Sequence, residues 1–576
     1  MAVCEEGLVA LPRPLALGRR GALALALGAG ALLAVRLDVP AFFDNEARYA
    51  EAAREMALGG DWLSPHLDFT LFLNKPPLVF WLAALVFRVA GPTEWARLVS
   101  VGAAVVALLA TCRLGALLYG GPAGLVAGLA LATSVGFVLE ARTLRPDMIL
   151  TATVVVALLC WQTAECGGAR RARWLTGLYA ALGVGVLAKG LVPLVLAGLP
   201  IAAVTLRDHG WRGAARLRPG LGLLVLAAIV VPWHVVAALR HPGFAWDYVV
   251  NQHLLFFLDR KLPRDSEGDS LAFFWAAAAG RAAPWVLLVP LTLAEAVRGA
   301  ARRAAPAARA TFLLWAWAGG LLLFFSCAPS RLEHYAVPAL PAAALLAARA
   351  WQRARAGELG RAAWVYLVAG GALVAGVGVA GLLVGRAVLA RTYWLVQVPG
   401  LLALAAPAAL VVAGAGVLAT LAALGRRPDR LVAVLAASMV PLAAIVLCAE
   451  GVAEPLFSWR PVARALAAVP PEVEVVFESP AEYQQVGGLA YYTERRITLL
   501  EPPGFVPPTY LAGHTREMFL ARAAFERRWR AGERLAFVSD PQRRRDDPAG
   551  LVPAPFHVLG RFGDRWVLTS FPAHAG

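Results

Sequence analysis

Four short polar segments hold the residues best suited to chemistry. The first, 38–77, reads DVPAFFDNEARYAEAAREMALGGDWLSPHLDFTLFLNKPP, and the second is Arg142-Thr-Leu-Arg145-Pro-Asp147. The third, 240–270, has NQHLLFFLDRKLPRD at its centre, and the fourth is Ser330-Arg-Leu-Glu-His-Tyr335. Lysine and arginine neutralise a phosphate, while carboxylates deprotonate an acceptor or hold a metal. Together these types suit a lipid-phosphate substrate. Lysine is scarce: among 54 basic residues only Lys75, Lys189 and Lys261 are lysines, so each is worth locating. Every candidate also has a plain structural reading. Asp44 or Asn45 can cap a helix running to Leu58 and ended by Gly59-Gly60, and Asp147 can cap the next apolar helix. Arg142 and Arg145 can anchor at a membrane interface. Glu51, Arg54 and Glu55 read as a solvated face, and His253 and His334 as structural histidines.

The elements that must position these residues are membrane helices. The chain has 576 residues, 59% hydrophobic and 16% charged, with mean hydropathy +0.63. Soluble chains carry about 25% charged residues. A cytosolic enzyme, a disordered chain and a secreted disulfide scaffold are therefore excluded. The net charge of +16 fits basic loops and anionic lipid rather than nucleic acid. The six cysteines lack zinc or redox spacing. Apolar runs near 20–37, 97–119, 121–140, 146–165, 174–188, 190–206, 219–239, 272–297, 310–327, 335–350, 362–384, 397–424 and 431–450 predict about thirteen spans.

The run 78–91 is shorter and interrupted by Arg88. If it lies in the interface, the clusters at Arg19-Arg20, Arg113, Arg170–Arg173, Arg207–Arg218, Arg298–Arg309, Arg353–Arg361 and Arg426–Arg430 all fall on one side. If it spans, they do not, so the positive-inside rule favours an interfacial helix. The N-terminus is then cytoplasmic, the polar segments and all three lysines are outside, and no cleaved signal peptide is expected. From 452 the composition becomes more charged, and a soluble α/β domain of about 125 residues (452–576) is predicted. Its strand candidates are 472–479, 497–500, 535–538, 556–562 and 566–571, with a turn at Gly563-Asp564 and helices over 481–492 and 515–530. The membrane domain is 1–451.

The first segment also carries a signature: Asn45-Glu46-Ala-Arg48-Tyr49-Ala50-Glu51, Arg54-Glu55-Met56, Gly60-Asp61-Trp62, Pro65, and Lys75-Pro76-Pro77-Leu78 with Trp81. This resembles the polyprenyl-phosphate-dependent GT-C glycosyltransferases, closest to the lipid A aminoarabinose transferase (ArnT-like) family within the protein-O-mannosyltransferase superfamily. Arg145-Pro146-Asp147 is similar to that family's second loop motif. Arg331-Leu332 with Tyr335 and Pro338 is similar to its Lys-Leu…Tyr…Pro segment. The likeness covers about 1–450.

The resemblance implies an all-α polytopic membrane protein of GT-C fold, with periplasmic interfacial helices and the small C-terminal α/β domain beside it. It implies a bacterial inner-membrane glycosyltransferase with its tail in the periplasm. Such an enzyme moves a sugar from undecaprenyl phosphate or a similar carrier to lipid A, another glycolipid or a glycan. A protein O-glycosyltransferase and a lipid-linked-sugar transporter or flippase are the alternatives. The first-loop carboxylate acts as base or orients the acceptor, and Lys75 contacts the carrier phosphate. Asp147 engages the acceptor. Arg48, Tyr49, Arg142, Arg145, His253, Arg260, Arg331 and Tyr335 join the substrate site.

Departures from the pattern matter. The family's Asp-Glu-x-Arg-Tyr-Ala has Asn45 at its aspartate, so Asp44 or Glu46 must take that role. Glu-His-x-x-Arg-Phe becomes Gln252-His253-Leu-Leu-Phe256-Phe257. Arg260, four residues beyond Phe256, shares its face if the segment is helical. Gln252 in place of glutamate weakens any metal site, so no metal or other cofactor is expected to be required. Arg331 for lysine keeps the charge but changes the geometry.

Overall fold

The computed structural model describes residues 15–263, 268–301, 304–391, 398–480, 482–502, 504–511, 518–543 and 545–572. The side chains of residues 15–19 and of Asp44 lie outside this set. The chain forms two compact units: one holds the residues up to Val35, Leu98–Pro232 and Asp269–Ala449, the other Arg36–Arg97, Trp233–Gly268 and Glu450–Gly576.

Among the described residues, 8 helices are long and apolar enough to cross a membrane, or up to 10 if two bent pairs each count as one span. This is fewer than the thirteen expected from apolar runs. The run 335–350 opens with a 3-10 turn, Glu333–Ala339, and its α-helix Leu340–Arg355 is 16 residues long. The run 174–188 lies in Arg171–Lys189, which has arginines at its start and a lysine at its end. The described apolar part of the first run is only Arg20–Leu33.

The first unit is helical. Pro146–Glu165 is the most buried of its spans and packs on Leu98–Tyr119 and Arg171–Lys189. Arg361–Ala380 and Pro399–Leu424 approach most closely. A Cβ on Gly378 would collide with the Ala413 backbone, and one on Gly416 with that of Ala375. Lipid supplies no hydrophobic force between helices, so such contact depends on small residues. The bent pairs are Gly121–Ala132 with Val135–Ala141 (65°) and Leu271–Arg281 with Trp285–Gly299 (101°). Each break satisfies the other: Val135 N–H donates to the Ala283 carbonyl (3.0 Å) and Trp285 Nε1 to Thr133 Oγ1 (3.0 Å). Broken backbone at membrane depth is tolerated where protein supplies such partners.

In the second unit the helix Asp44–Gly59 ends at Gly60, whose φ of +75° suits a left-handed C-terminal residue. Its N-cap is Phe43, so Asp44 is the first helical residue and neither it nor Asn45 is the cap. The Glu51–Arg54 reading as a solvated face is also overturned. Arg54 forks onto Glu51 with two 2.7 Å bonds, and both side chains are buried. Ala47, Ala50 and Ala53 of the same helix are buried too, so this stretch packs into the core rather than facing water.

The strands β1 (His66–Leu67) and β2 (Thr70–Leu71) form a short hairpin before the helix Leu78–Ala90. That helix has 13 residues and rises about 20 Å, short of the ~30 Å hydrocarbon core. It buries Val79, Phe80, Ala83, Ala84 and Phe87 on one face and exposes Leu85 and Val89.

The tail carries a six-stranded sheet of β3 (Glu474–Glu478), β4 (Ile497–Leu500), β5 (Phe519–Leu520), β6 (Leu535–Val538), β7 (His557–Phe562) and β8 (Arg565–Thr569), in the order β5-β4-β3-β6-β8-β7. β3 to β6 pair in parallel, and β7 and β8 close antiparallel through Gly563-Asp564, with Gly563 at φ +63°. The tail helices run over Val486–Thr493 and Arg522–Arg530.

Candidate active site

The polar residues of the first unit meet where several helices end. Pro146 at the first helical position starts the buried helix, with Arg145 as its N-cap, so Asp147 sits in the first turn rather than at the cap. Asp147 Oδ1 accepts from Lys189 Nζ at the end of the neighbouring helix. Asp147 is 2% exposed. Lys189 also stands 4.7 Å over the Tyr335 ring, a cation–π contact.

A second knot adjoins this one. Arg281, at the end of one broken half-helix, donates to Glu333 Oε1 (2.7 Å) and lies 3.9 Å from Glu140 on the other. Arg145 reaches the same Glu140 at 3.8 Å. His334 lies 3.6 Å from Glu333. His334, against the opposing effect of burial, holds the Glu333 carboxyl at about 2, and Arg281 and Arg145 add to the effect. The breaks in both helices therefore bring Glu140 and Arg281 into one charged network.

Two arginines predicted for substrate are engaged by backbone. Arg142 is buried and its Nη1 donates to the carbonyls of Leu33 (2.6 Å) and Val35 (2.9 Å), holding the end of the first helix rather than reaching headgroups. Arg331 donates to the carbonyls of Asp269 (2.8 Å), Ser326 (3.2 Å) and Phe325 (3.4 Å), fastening the turn that presents Glu333, His334 and Tyr335.

The second unit gathers the first-loop residues. Glu46 is buried and accepts from Arg97 Nε (2.9 Å) and Nη2 (2.6 Å). Arg97 also holds the Leu37 and Pro40 carbonyls (3.0 and 2.7 Å). Removing one partner of such a pair leaves a buried charge, at a cost of about 3–5 kcal/mol. Glu46 is thus held in place by Arg97, while the Asp44 side chain lies outside the described set. Arg48 pairs with Glu482 and donates to Asn45 Oδ1 (3.2 Å). Tyr49 is buried, its ring stacked on Phe80 with centroids 5.8 Å apart.

Lys75 is half-buried in the turn before Leu78–Ala90. The turn is fixed on both sides. Asn74 Oδ1 accepts from the Tyr510 hydroxyl (2.6 Å), Leu73 N–H donates to that same hydroxyl oxygen (3.3 Å), and Pro76-Pro77 stiffen the entry to the helix.

His253 lies in a π-helical segment, Asp247–Leu255, and its Nδ1 bonds the Tyr248 carbonyl (2.6 Å). A proton on Nδ1 leaves Nε2 as the acceptor. Burial lowers the imidazole below its usual range, and the charges of Lys75 and His234 lower it further. The Tyr248 hydroxyl and Gln252 Nε2 are buried without a hydrogen-bond partner among the described residues. Buried polar atoms of this kind are rare unless a ligand or water satisfies them. The helix stops after Phe257, and Asp259 has φ +58°. Arg260 therefore does not continue the Phe256 face, and the premise for its substituting there fails. Among the described residues no group of three or more His, Cys, Asp or Glu is placed to hold a metal.

Solved structures share this architecture. ArnT from Cupriavidus metallidurans, in a crystal structure with undecaprenyl phosphate, aligns with a TM-score of 0.77 over 96% of this chain and 97% of that one, at 24% identity. The chain has the ArnT fold. The archaeal oligosaccharyltransferase AglB from Archaeoglobus fulgidus aligns less well, with a TM-score of 0.52 at 13% identity over 90% of this chain and 69% of that one.

Residues 74–235 match the dolichyl-phosphate-mannose-protein mannosyltransferase family. That stretch holds Lys75, Arg142, Arg145, Asp147 and Lys189. The undecaprenyl phosphate-alpha-4-amino-4-deoxy-L-arabinose arabinosyl transferase of Pseudomonas aeruginosa is 31% identical over 323 residues, 54% of this chain and 56% of that protein. The transferase of the same name from Serratia proteamaculans is 27% identical over 315 residues, 53% and 54%. The chain thus spans a little over half the length of these relatives in sequence. The ArnT-like resemblance read from the loops extends to the whole fold.

Within the ArnT fold, sequence reasoning missed Lys189, Glu140, Arg281 and Glu333 as members of the charged network. Lys189 had one signal, the scarcity of lysine. Glu140 and Arg281 had none, because their meeting depends on two helix breaks far apart in sequence.

Proposed function

We propose that this chain is an integral-membrane glycosyltransferase that moves a sugar from a polyprenyl-phosphate carrier to an envelope glycolipid such as lipid A. What carries the reading is that the fold likeness to ArnT runs along nearly the whole chain, while curated relatives named as undecaprenyl-phosphate aminoarabinose transferases match over half of it. In the reaction an acceptor oxygen bonds to C1 as the C1–O bond to the carrier breaks, a hydroxyl acceptor gives its proton to Asp44, and negative charge builds on the leaving phosphate. Lys75, held by a pinned and proline-stiffened turn, neutralises that charge. His253, kept neutral, offers Nε2 as an acceptor, and the Tyr248 hydroxyl offers a further hydrogen bond. Asp147, held by Lys189, orients the acceptor, with Asp44 as the first-loop acid. Glu46, Arg142 and Arg331 support the site from their structural contacts. Positioning carries most of the rate if the acceptor is itself a phosphate, because little base catalysis is then needed. The purified protein should release polyprenyl phosphate from a labelled polyprenyl-phosphate sugar only when acceptor lipid is present. Release at the same rate without acceptor, or none with it, refutes the transfer.

The proposed setting is the bacterial inner membrane, with the N-terminus cytoplasmic, the tail 452–576 periplasmic and Leu78–Ala90 along the outer surface. The one-sided arginine clusters support this orientation. A periplasmic reporter fused after Ser330 should be active, and one fused after Arg427 inactive. The reverse pattern at both sites overturns the orientation.

A further inference from the structure

The tail sheet has a feature that the transfer reaction does not use. β4, β3 and β6 run parallel in that order. The chain leaves β3 for β4 through Val486–Thr493 and returns to β6 through Arg522–Arg530. These crossovers lie on opposite faces. Phe525 of the second packs on Phe537 (5.6 Å), in one cluster with Val476. Phe477, the next residue of β3, meets Trp459 (5.4 Å), against which Gly488 of the first helix packs. The strand order therefore reverses between β3 and β6. In open α/β sheets, ligands bind in the crevice beyond the carboxyl ends of the strands at such a reversal.

Three arginines converge at that place. Glu478 ends β3 and Asp540 lies just beyond β6, and both are buried. Arg545 forks onto Glu478 with two 3.1 Å bonds. Arg522, at the start of its helix, reaches Glu478 at 3.4 Å. Arg543 stands 3.8 Å from Glu478 and 3.5 Å from Asp540, as an ion pair without a side-chain hydrogen bond among the described residues. Arg545 already forks onto Glu478, while Arg543 is held only by long ion pairs, so its guanidinium is the least engaged of the three. The Arg522 and Arg543 side chains are 41% and 54% exposed. Arg522 also donates to Glu526 (3.3 Å) and to the Leu551 carbonyl (2.7 Å), which holds its guanidinium in place. Guanidinium donors form a planar fork that fits two oxygens of a phosphate.

We infer that this crevice binds a phosphate group, carried by a soluble sugar phosphate or by a lipid headgroup, with Arg522 and Arg543 as its ligands and Arg545 fixed on Glu478 as their support. Burial, with the neighbouring Glu478 carboxylate adding to it, pushes the Asp540 pKa up to about 6. The site stands apart from the transfer reaction and does not depend on it.

The test uses the full chain in detergent, on a Lys75→Ala background so that the proposed carrier-phosphate contact is absent. Glucose 1-phosphate is titrated calorimetrically, with glucose as control. In a second arm the protein is offered vesicles of phosphatidylcholine with or without phosphatidic acid. Arg543→Ala should weaken phosphate-dependent binding about tenfold, with an unchanged melting temperature because the Arg543 side chain is exposed and holds only loose ion pairs. Arg543→Lys should recover part of the loss. Binding of glucose 1-phosphate assigns a soluble ligand, and binding of phosphatidic acid alone assigns a headgroup. No phosphate-dependent binding in either arm, or binding as tight as the parent's in both Arg543→Ala and Arg522→Gln, overturns the inference.

Discussion

Alanine at Lys75 should lower sugar transfer by about a hundredfold while the melting temperature stays within a degree or two of the parent. The ammonium lies in a turn whose shape is set by other groups: the Tyr510 hydroxyl on Asn74 and Leu73, and Pro76-Pro77. Removing the side chain beyond Cβ leaves all of these in place. A charge-assisted hydrogen bond to the leaving phosphate is worth roughly 1.5–3 kcal/mol, and each 1.36 kcal/mol in the barrier is about tenfold in rate. The loss should fall on kcat at saturating donor, because the charge on the phosphate grows as the C1–O bond breaks. Arginine at this position should restore only part of the rate, since a planar fork replaces a compact point charge. Parent-like kcat in Lys75→Ala would remove the lysine from the reaction.

The carboxylates should separate in a way that only the structure makes readable. Asp147→Asn should abolish most transfer and also destabilise the protein, because Lys189 is left in a buried setting without its counter-ion. Breaking such a pair from one side costs about 3–5 kcal/mol. The double variant Asp147→Asn with Lys189→Met removes both charges, so it should regain stability but not activity. If the double variant regains transfer, the pair is structural only. Glu46→Gln should lower the melting temperature through Arg97 and lose activity only in proportion to folded protein. Asp44→Asn should melt like the parent and lose transfer at least tenfold. Parent rates in all of Asp44→Asn, Glu46→Gln and Asp147→Asn would mean that none of these carboxylates serves the reaction, and that the acceptor is already an anion.

Much of the fold was legible because its signals are local. Four of the expected tail strands lie within a residue or two of β4, β6, β7 and β8, and the fifth expected strand encloses β3. Short runs of β-branched and aromatic residues between turn residues mark them, and β6 is buried along its whole length. The two-residue β5 was missed because so short a strand carries no period. The expected thirteen spans exceed the 8 to 10 long apolar helices among the described residues, because shorter apolar helices are not in that count. Hydropathy also does not register where the backbone breaks inside an apolar run, as at Thr133-Ser134 and Ala282–Pro284.

The candidate site divides in the same way. The first-loop motif, Lys75 before its two prolines, and the Arg145-Pro146-Asp147 turn were visible because contiguous residues carry them. Their partners were not. Glu51 and Arg54 looked like solvent charges, since nothing in a helical spacing says which face packs. Asp540 and Glu478 looked like ordinary tail acids until the sheet order brought three arginines to them.

By itself the sequence determined that this is a helical membrane protein with a small α/β tail, and which loops gather its charged groups. Composition and periodicity are properties of neighbouring residues and survive without a fold. Only the tertiary structure decided which charges are partnered: Asp147 with Lys189, Glu46 with Arg97, Glu140 and Glu333 with Arg281. The first two pairs join residues 42 and 51 positions apart, and Glu333 lies 52 from Arg281, separations that span whole helices. In a low-dielectric interior a charge is tolerated only beside its counter-ion. Burial is set by packing between distant segments, so the pairing that decides each group's role appears only once the chain has folded.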